Sequence, residues 1–283
     1  MRILLIDVPY DCGQLNVRMG AGPTYLLDRG VAASLRSAGH EIRRESVRVP
    51  IEFHTEWQSL LAQQHQIAAL VRSALTFGER VLVLSGNCGP AALGVLGGLG
   101  ARDTAVVWLD AHADFNTPET SPSGFLDGMA AATAVGHCWR GLATAFHNLD
   151  ALPEEQLVQI GVRAVDPEER RRLDKARVHR ASEDLTDVSA LIDQLAGRVR
   201  HLYVHLDLDV IDAAQLQANS YSTSGGPDVN QVAAVIRAVA SRLSFSAASI
   251  TALDPTLDPE RAWNVAERLA LVIADCPAIP VRT

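Results

Sequence analysis

Short apolar runs recur along this chain, each followed by a stretch with helical spacing. Ile3–Ile6, Val81–Leu84, Ala105–Leu109, Leu157–Val162, His201–Leu206 and Ala248–Leu253 are apolar or nearly so over their length. Runs of this length without period-two alternation predict strands buried on both faces, as in a parallel sheet. Glu41 to Val49 mixes charged and apolar residues and predicts an edge strand. Between the runs, Thr24–Ser37, Thr55–Leu75, Val229–Leu243 and Pro259–Ala274 repeat apolar residues at helical spacing. Further helices are expected after Cys88, over Ser189–Val199 and from Asp166 into an Arg-rich stretch. Pro23 opens the first helix and Gly39 closes it. The alternation of strand and helix predicts one α/β domain over residues 1–283, doubly wound around a mainly parallel sheet. No internal repeat, low-complexity segment or linker interrupts it.

Ligands bind such folds beyond the carboxyl ends of the strands, and two acidic clusters stand there. Ala105–Leu109 runs into Asp110, His112 and Asp114, and His201–Leu206 runs into Asp207 and Asp209. If the chain stayed extended, Asp110, His112 and Asp114 would share one face. Carboxylates with an imidazole suit hard divalent cations, and two such strand ends suggest one polynuclear metal centre. A helix-capping Asp and a surface His are the plain alternative for the first triplet alone.

Composition narrows the partners. The formal net charge is −8 and only 5% of residues are aromatic, which argues against nucleic acid. No run of 18 apolar residues occurs, so no spanning helix is expected, and the N-terminal stretch is too short and too soon interrupted for a signal peptide. Cys12, Cys88, Cys138 and Cys276 lack metal or redox spacing and read as free thiols of a cytoplasmic protein. The Gly-rich stretch Gly86 to Gly100 has no P-loop Lys, so phosphate binding is discounted.

Taken together, Asp110-Ala-His112-Ala-Asp114-Phe-Asn116, Asp207-Leu-Asp209-Val-Ile-Asp212, Ser85-Gly-Asn-Cys88 and Gly22-Pro23 resemble the motifs of the arginase (ureohydrolase) family over nearly the whole chain. That resemblance implies a two-manganese hydrolase of guanidino or amidino carbon, acting on a small amino-acid substrate and assembled as a trimer or hexamer. It assigns Cys88, Asp110, His112, Asp114, Asp207 and Asp209 to the metals, with Asp110 and Asp207 bridging and Asp114 receiving the water's proton. It places Asn116, Ser121 and Ser123 at the substrate α-carboxylate, and Asp166 and Glu169 at the α-ammonium. A helix cap is the alternative for Asp166 and Glu169.

The chain departs from the family pattern at three places. Cys88 stands in the slot of a ligand His, offering a softer, anionic donor. Asp127 stands where the family carries a proton-shuttling His, so it is the second catalytic candidate beside Asp114, and Phe125 replaces a nearby Asn. Ala252 stands where a Glu pairs with the guanidinium, with Asp254 or Asp127 as conceivable substitutes. A plain guanidinium would lose a charge-assisted bond there, so N-omega-hydroxy-L-arginine is the preferred expected substrate over L-arginine. Two other readings stay open: an arginase-like binding protein without turnover, and a hydrolase of formimino or other amidino substrates. His137, Cys138 and His205 read as packing residues, His205 being expected to point away from the site.

Overall fold

In a computed structural model, residues 1–49, 55–141, 150–181 and 185–277 are described. Eight strands form one wholly parallel sheet: β1 (Arg2–Val8), β4 (Glu41–Ser46), β5 (Arg80–Ser85), β6 (Thr104–Leu109), β7 (Leu157–Ile160), β8 (His179–Ala181), β9 (His201–Asp207) and β10 (Phe245–Thr251). Their spatial order is β4-β1-β5-β10-β9-β6-β7-β8. The short β2 (Tyr10–Asp11) and β3 (Gln14–Leu15) pair apart from it as a hairpin. The helices are α1 (Gly22–Asp28), α2 (Val31–Ser37), α3 (Glu56–Thr76), α4 (Cys88–Leu99), α5 (Ala130–Ala134), α6 (Pro167–Leu173), α7 (Leu185–Leu195), α8 (Val229–Ala240) and α9 (Pro259–Asp275).

The apolar runs are the buried strands, and they feed two cores. Ile3, Leu82, Val107 and Val204 face one, with α2, α7, α8 and α9; Leu4, Val81, Val106 and Tyr203 face the other, with α3, α4 and α5. Helices on both faces explain why these strands read as continuous apolar runs. Polar β4 lies at one edge, as expected.

Several boundaries differ from the sequence reading. The helix expected over Thr24–Ser37 is two helices, because Gly30 sits at φ 101°, a left-handed conformation that breaks the ladder. The helix expected over Ser189–Val199 lies over Leu185–Leu195 and stops short of Gly197. Edge strand β8 was not foreseen: three half-exposed or exposed residues carry no apolar run.

The pairing registers build the site. Ser85, Thr251 and Asp207 lie level across β5, β10 and β9, and Leu109 pairs with Leu206, so Asp110 and Asp207 emerge side by side. Four adjacent strands thus end in Cys88, Ala252, Asp207 and Asp110 or the turns that carry them.

Candidate metal centre and substrate cavity

Asp110 is fully buried and central. Its Oδ2 accepts from the Trp108 indole at 3.0 Å and its Oδ1 from the His112 backbone at 2.7 Å. Parallel pairing continues past Leu109 as far as His112, which bridges Ala164, but the chain turns before the triplet is complete, contrary to the simple alternation argument. The Ala111 N–H turns to the Asp209 carboxylate, and Asp114 adopts φ 49°. His112 and Asp114 therefore fall on different sides of Asp110. Ligand atoms of Cys88, Asp110 and Asp114 lie within 4.8 Å of one another, as do those of Asp110, His112 and Asp209. Asp207 adjoins the first set, its Oδ2 accepting from the Cys88 thiol at 3.2 Å, and holds the Asp209 N–H through Oδ1 at 2.8 Å.

The electrostatics fit a cation site. Burial, then the neighbouring carboxylates, hold Asp114 and Asp207 well above the usual carboxylate range, and push Asp110 up to about 6. Burial opposes charge on His112, but Asp110 and Asp209 at 3.4 and 3.3 Å outweigh it and push the imidazole up to about 12. Burial also opposes ionisation of Asp209, yet His112, Asn219 and the Ala111 N–H hold it below the ordinary value. The Cys88 thiol is pushed up by burial, then by Asp207, Asp127, Asp114 and Asp110. One imidazolium does not offset this many packed carboxylates, and the set suits two divalent ions, which would convert mutual repulsion into ligation.

A cavity of about 360 Å³ opens over this cluster. Cys88, His112, Asp114, Asp207 and Asp209 line its depth, while Asp110 sits behind the wall. Asn116, Ser121, Ser123, Asp166 and Glu169 line it as well. Ser121 Oγ accepts from the Gly124 N–H and Ser123 Oγ from the Phe125 N–H, which leaves both hydroxyl protons to donate. Asn116 donates to Asp166 at 3.0 Å. Glu169 is committed elsewhere: 4% exposed, it accepts from the Phe115 and Asp166 N–H groups, closing the capping box of α6. The helix-cap alternative thus describes its bonding.

The departures lie on or near the same walls. Ala252, at φ 61° and 3% exposed, presents only a methyl group. Asp254 is not among the lining residues and accepts from Thr256. Asp127 lines the cavity, but its two oxygens accept from the Asn87 side chain and from the Cys88 and Gly89 N–H groups. His205 does not point opposite to Asp207: the two residues share parity, and His205 stacks on Trp108 and bonds Tyr203 and Ser249.

Tyr221 and Asn219 were missed as site residues. Tyr221 stacks on Phe125 at 5.7 Å and stands edge-on to His112 at 6.4 Å. Asn219 ties its loop to Asp209 and to the Ala252 carbonyl. Their loop follows directly on the second acidic strand end, the one signal that marked it.

The arginase family model matches residues 1–276. An arginase of Brevibacillus brevis is 26% identical over 286 residues, 95% of each chain. An N(omega)-hydroxy-L-arginine amidinohydrolase of Streptomyces lavendulae is 31% identical over 228 residues, 79% of this chain and 78% of that one. The crystal structure of an arginase from Bacillus subtilis superposes with TM-score 0.85 at 22% identity, covering 99% of this chain and 100% of the other. Paired acidic strand ends, their interposed histidine and the family match along nearly the whole sequence agree: this chain belongs to the arginase family, whose members are hydrolases of amidino C–N bonds.

Proposed function

We propose that this protein removes the amidino group from an L-α-amino acid and prefers N-omega-hydroxy-L-arginine to L-arginine, giving L-ornithine and hydroxyurea. The observation that carries the preference is Ala252: a methyl group lines the cavity at the position the family resemblance gives to the guanidinium-binding Glu. Arginine is cationic at any working pH and would lose a charge-assisted bond there, whereas a hydroxyguanidine is less basic and brings a hydroxyl of its own. The Streptomyces lavendulae relative, named for that substrate, supports the same reading.

In this reading Cys88 and Asp114 would help hold one manganese ion and His112 and Asp209 the other, with Asp110 and Asp207 as the further ligands of the pair. When bound, the pair supplies Lewis-acid activation of water at neutral pH. Asp114, whose proton affinity is raised by burial and by Asp110, takes up the water's proton and returns it to the departing amine. Ser121, Ser123 and Asn116 donate to the α-carboxylate, and Asp166 receives the α-ammonium. These contacts fix the substrate at its far end, so that the amidino carbon reaches the cluster. A homo-oligomer is part of the proposal, checked by light scattering.

The test is a manganese-supplemented panel of arginine, N-hydroxy-arginine, agmatine, guanidinobutyrate and formiminoglutamate. One missing bond to a charged group, roughly 1.5–3 kcal/mol, predicts kcat/KM for N-hydroxy-arginine at least about tenfold above that for arginine. Equal or better turnover of arginine refutes the preference. Binding without turnover of any member points to the non-catalytic alternative.

A further inference from the structure

Asn87 is 6% exposed and every polar atom of its side chain is engaged. Its Oδ1 accepts from the Cys12 N–H at 2.9 Å. Its Nδ2 donates to Asp11 Oδ1 at 3.3 Å and to Asp127 Oδ2 at 3.0 Å. Asp11, 1% exposed, is held in turn by Arg18 Nε at 2.8 Å. At the other end Asp127 accepts from the Cys88 N–H at 2.9 Å and the Gly89 N–H at 2.7 Å. These are orphan donors of the first turn of α4, satisfied here by a residue distant in sequence. The turn is also locked sterically: a Cβ on Gly86 would lie 2.3 Å from the Tyr10 carbonyl oxygen and 2.7 Å from Gly20 Cα.

We propose that Asp11, Asn87 and Asp127 form a buried hydrogen-bond relay that positions Cys88 for metal binding, and that Asp127 works as this tether rather than as a proton shuttle. The inference rests on the reading that Cys88 is a metal ligand. The two Asp127 oxygens together take three N–H donors, two of them from the backbone that carries Cys88. The thiol can rotate about its own bonds, but the Cys88 backbone is fixed by Asp127, so the thiol meets Asp207 and Thr251 at 3.2 and 3.1 Å. Losing the relay lets the turn relax and moves a donor atom that a metal centre needs within a few tenths of an ångström. Supporting partners of this kind typically change metal affinity by about 10–100-fold.

The test uses Asn87→Leu and Asp127→Asn in the full chain, with Co2+ alone as probe. In the unaltered protein the cobalt-loaded site should show a near-ultraviolet thiolate-to-metal charge-transfer band. Both variants should weaken the band and lower affinity at that site at least about tenfold, while the second ion is retained. In metal-free protein, iodoacetamide should alkylate Cys88 several-fold faster in the variants, read by mass spectrometry. The pH profile of kcat/KM should keep its limbs in Asp127→Asn; loss of one limb would mark a proton-transfer role and overturn the tether. Unchanged band, affinity and alkylation rate would overturn the relay as well. A missing band in the unaltered protein refutes the ligand reading of Cys88 instead, and the alkylation rates alone then decide the relay. Should Asn87→Leu fail to fold by circular dichroism, Asp127→Asn decides, since it keeps the volume and one acceptor for the Gly89 N–H.

Discussion

Replacing Arg163 by Met should destabilise the protein and loosen the second acidic motif together. Arg163 follows β7, and its guanidinium faces backbone carbonyls rather than a carboxylate. Nη2 donates to Thr223 O at 2.7 Å and Asp209 O at 3.0 Å, and Nη1 to Gly161 O at 2.9 Å and Val210 O at 3.1 Å. Longer contacts reach Ser224 O at 3.2 Å and Ile211 O at 3.4 Å. One cation therefore clamps both ends of the loop that carries Asn219 and Tyr221. Counting only the three shortest bonds at about 1 kcal/mol net each gives about 3 kcal/mol. In a chain of this length that corresponds to a fall in Tm of about 5–10 °C. Arg163→Lys should lose most of the same stability, because a point ammonium with three donors cannot serve carbonyls spread over this arc. Differential scanning fluorimetry of the manganese-loaded and metal-free proteins measures the first effect, and metal titration the second. Affinity at the His112–Asp209 site should drop about tenfold or more, since Asp209 loses its backbone anchor. A Tm within about 2 °C of the parent, with unchanged metal affinity, would show that the loop holds its shape without the clamp.

Other outcomes are expected. Ala252→Glu should raise kcat/KM for arginine relative to N-hydroxy-arginine by about 10–100-fold, the worth of one regained charge-assisted bond; no change in the ratio would detach Ala252 from substrate choice. Asp166→Ala and Ser123→Ala should raise KM for an amino-acid substrate with metal content unchanged, as loss of uniform binding does, and agmatine as the better substrate would sink this assignment. Metal-free protein should be more stable at pH 5.5 than at pH 8. Burial and neighbouring carboxylates push Asp110 up to about 6, burial pushes Asp127 up to about 7, and His112 is raised by its carboxylate partners. In each case the folded state holds its proton to higher pH than the unfolded chain, so stability is lost as pH rises through those values. Manganese should reverse the order, because ligation requires the deprotonated forms; thermal melts in chelator and in excess metal give both slopes.

The strands and the acidic ends were legible because burial on both faces demands continuous apolar runs, and because nothing in a buried core asks for Asp110, Asp207 and Asp209 at the ends of such runs. Family motifs then named the chemistry. Other features belonged to three dimensions. An extended chain would put Asp110, His112 and Asp114 on one strand face, whereas the turn at Asp114 and the bond from Ala111 to Asp209 divide them into two ligand sets around Asp110. The family resemblance put Asp127 in the slot of a proton-shuttling His, and no local pattern showed that its oxygens accept from the first turn of α4, a helix that begins 39 residues earlier. Periodicity could not find Tyr221, Asn219 or Arg163, since their partners lie on other strands and loops and an irregular loop has no period to read. A repeating pattern reports only which face a residue turns to its own element's core; which polar groups meet across four strand ends depends on the order and register in which the strands are laid side by side.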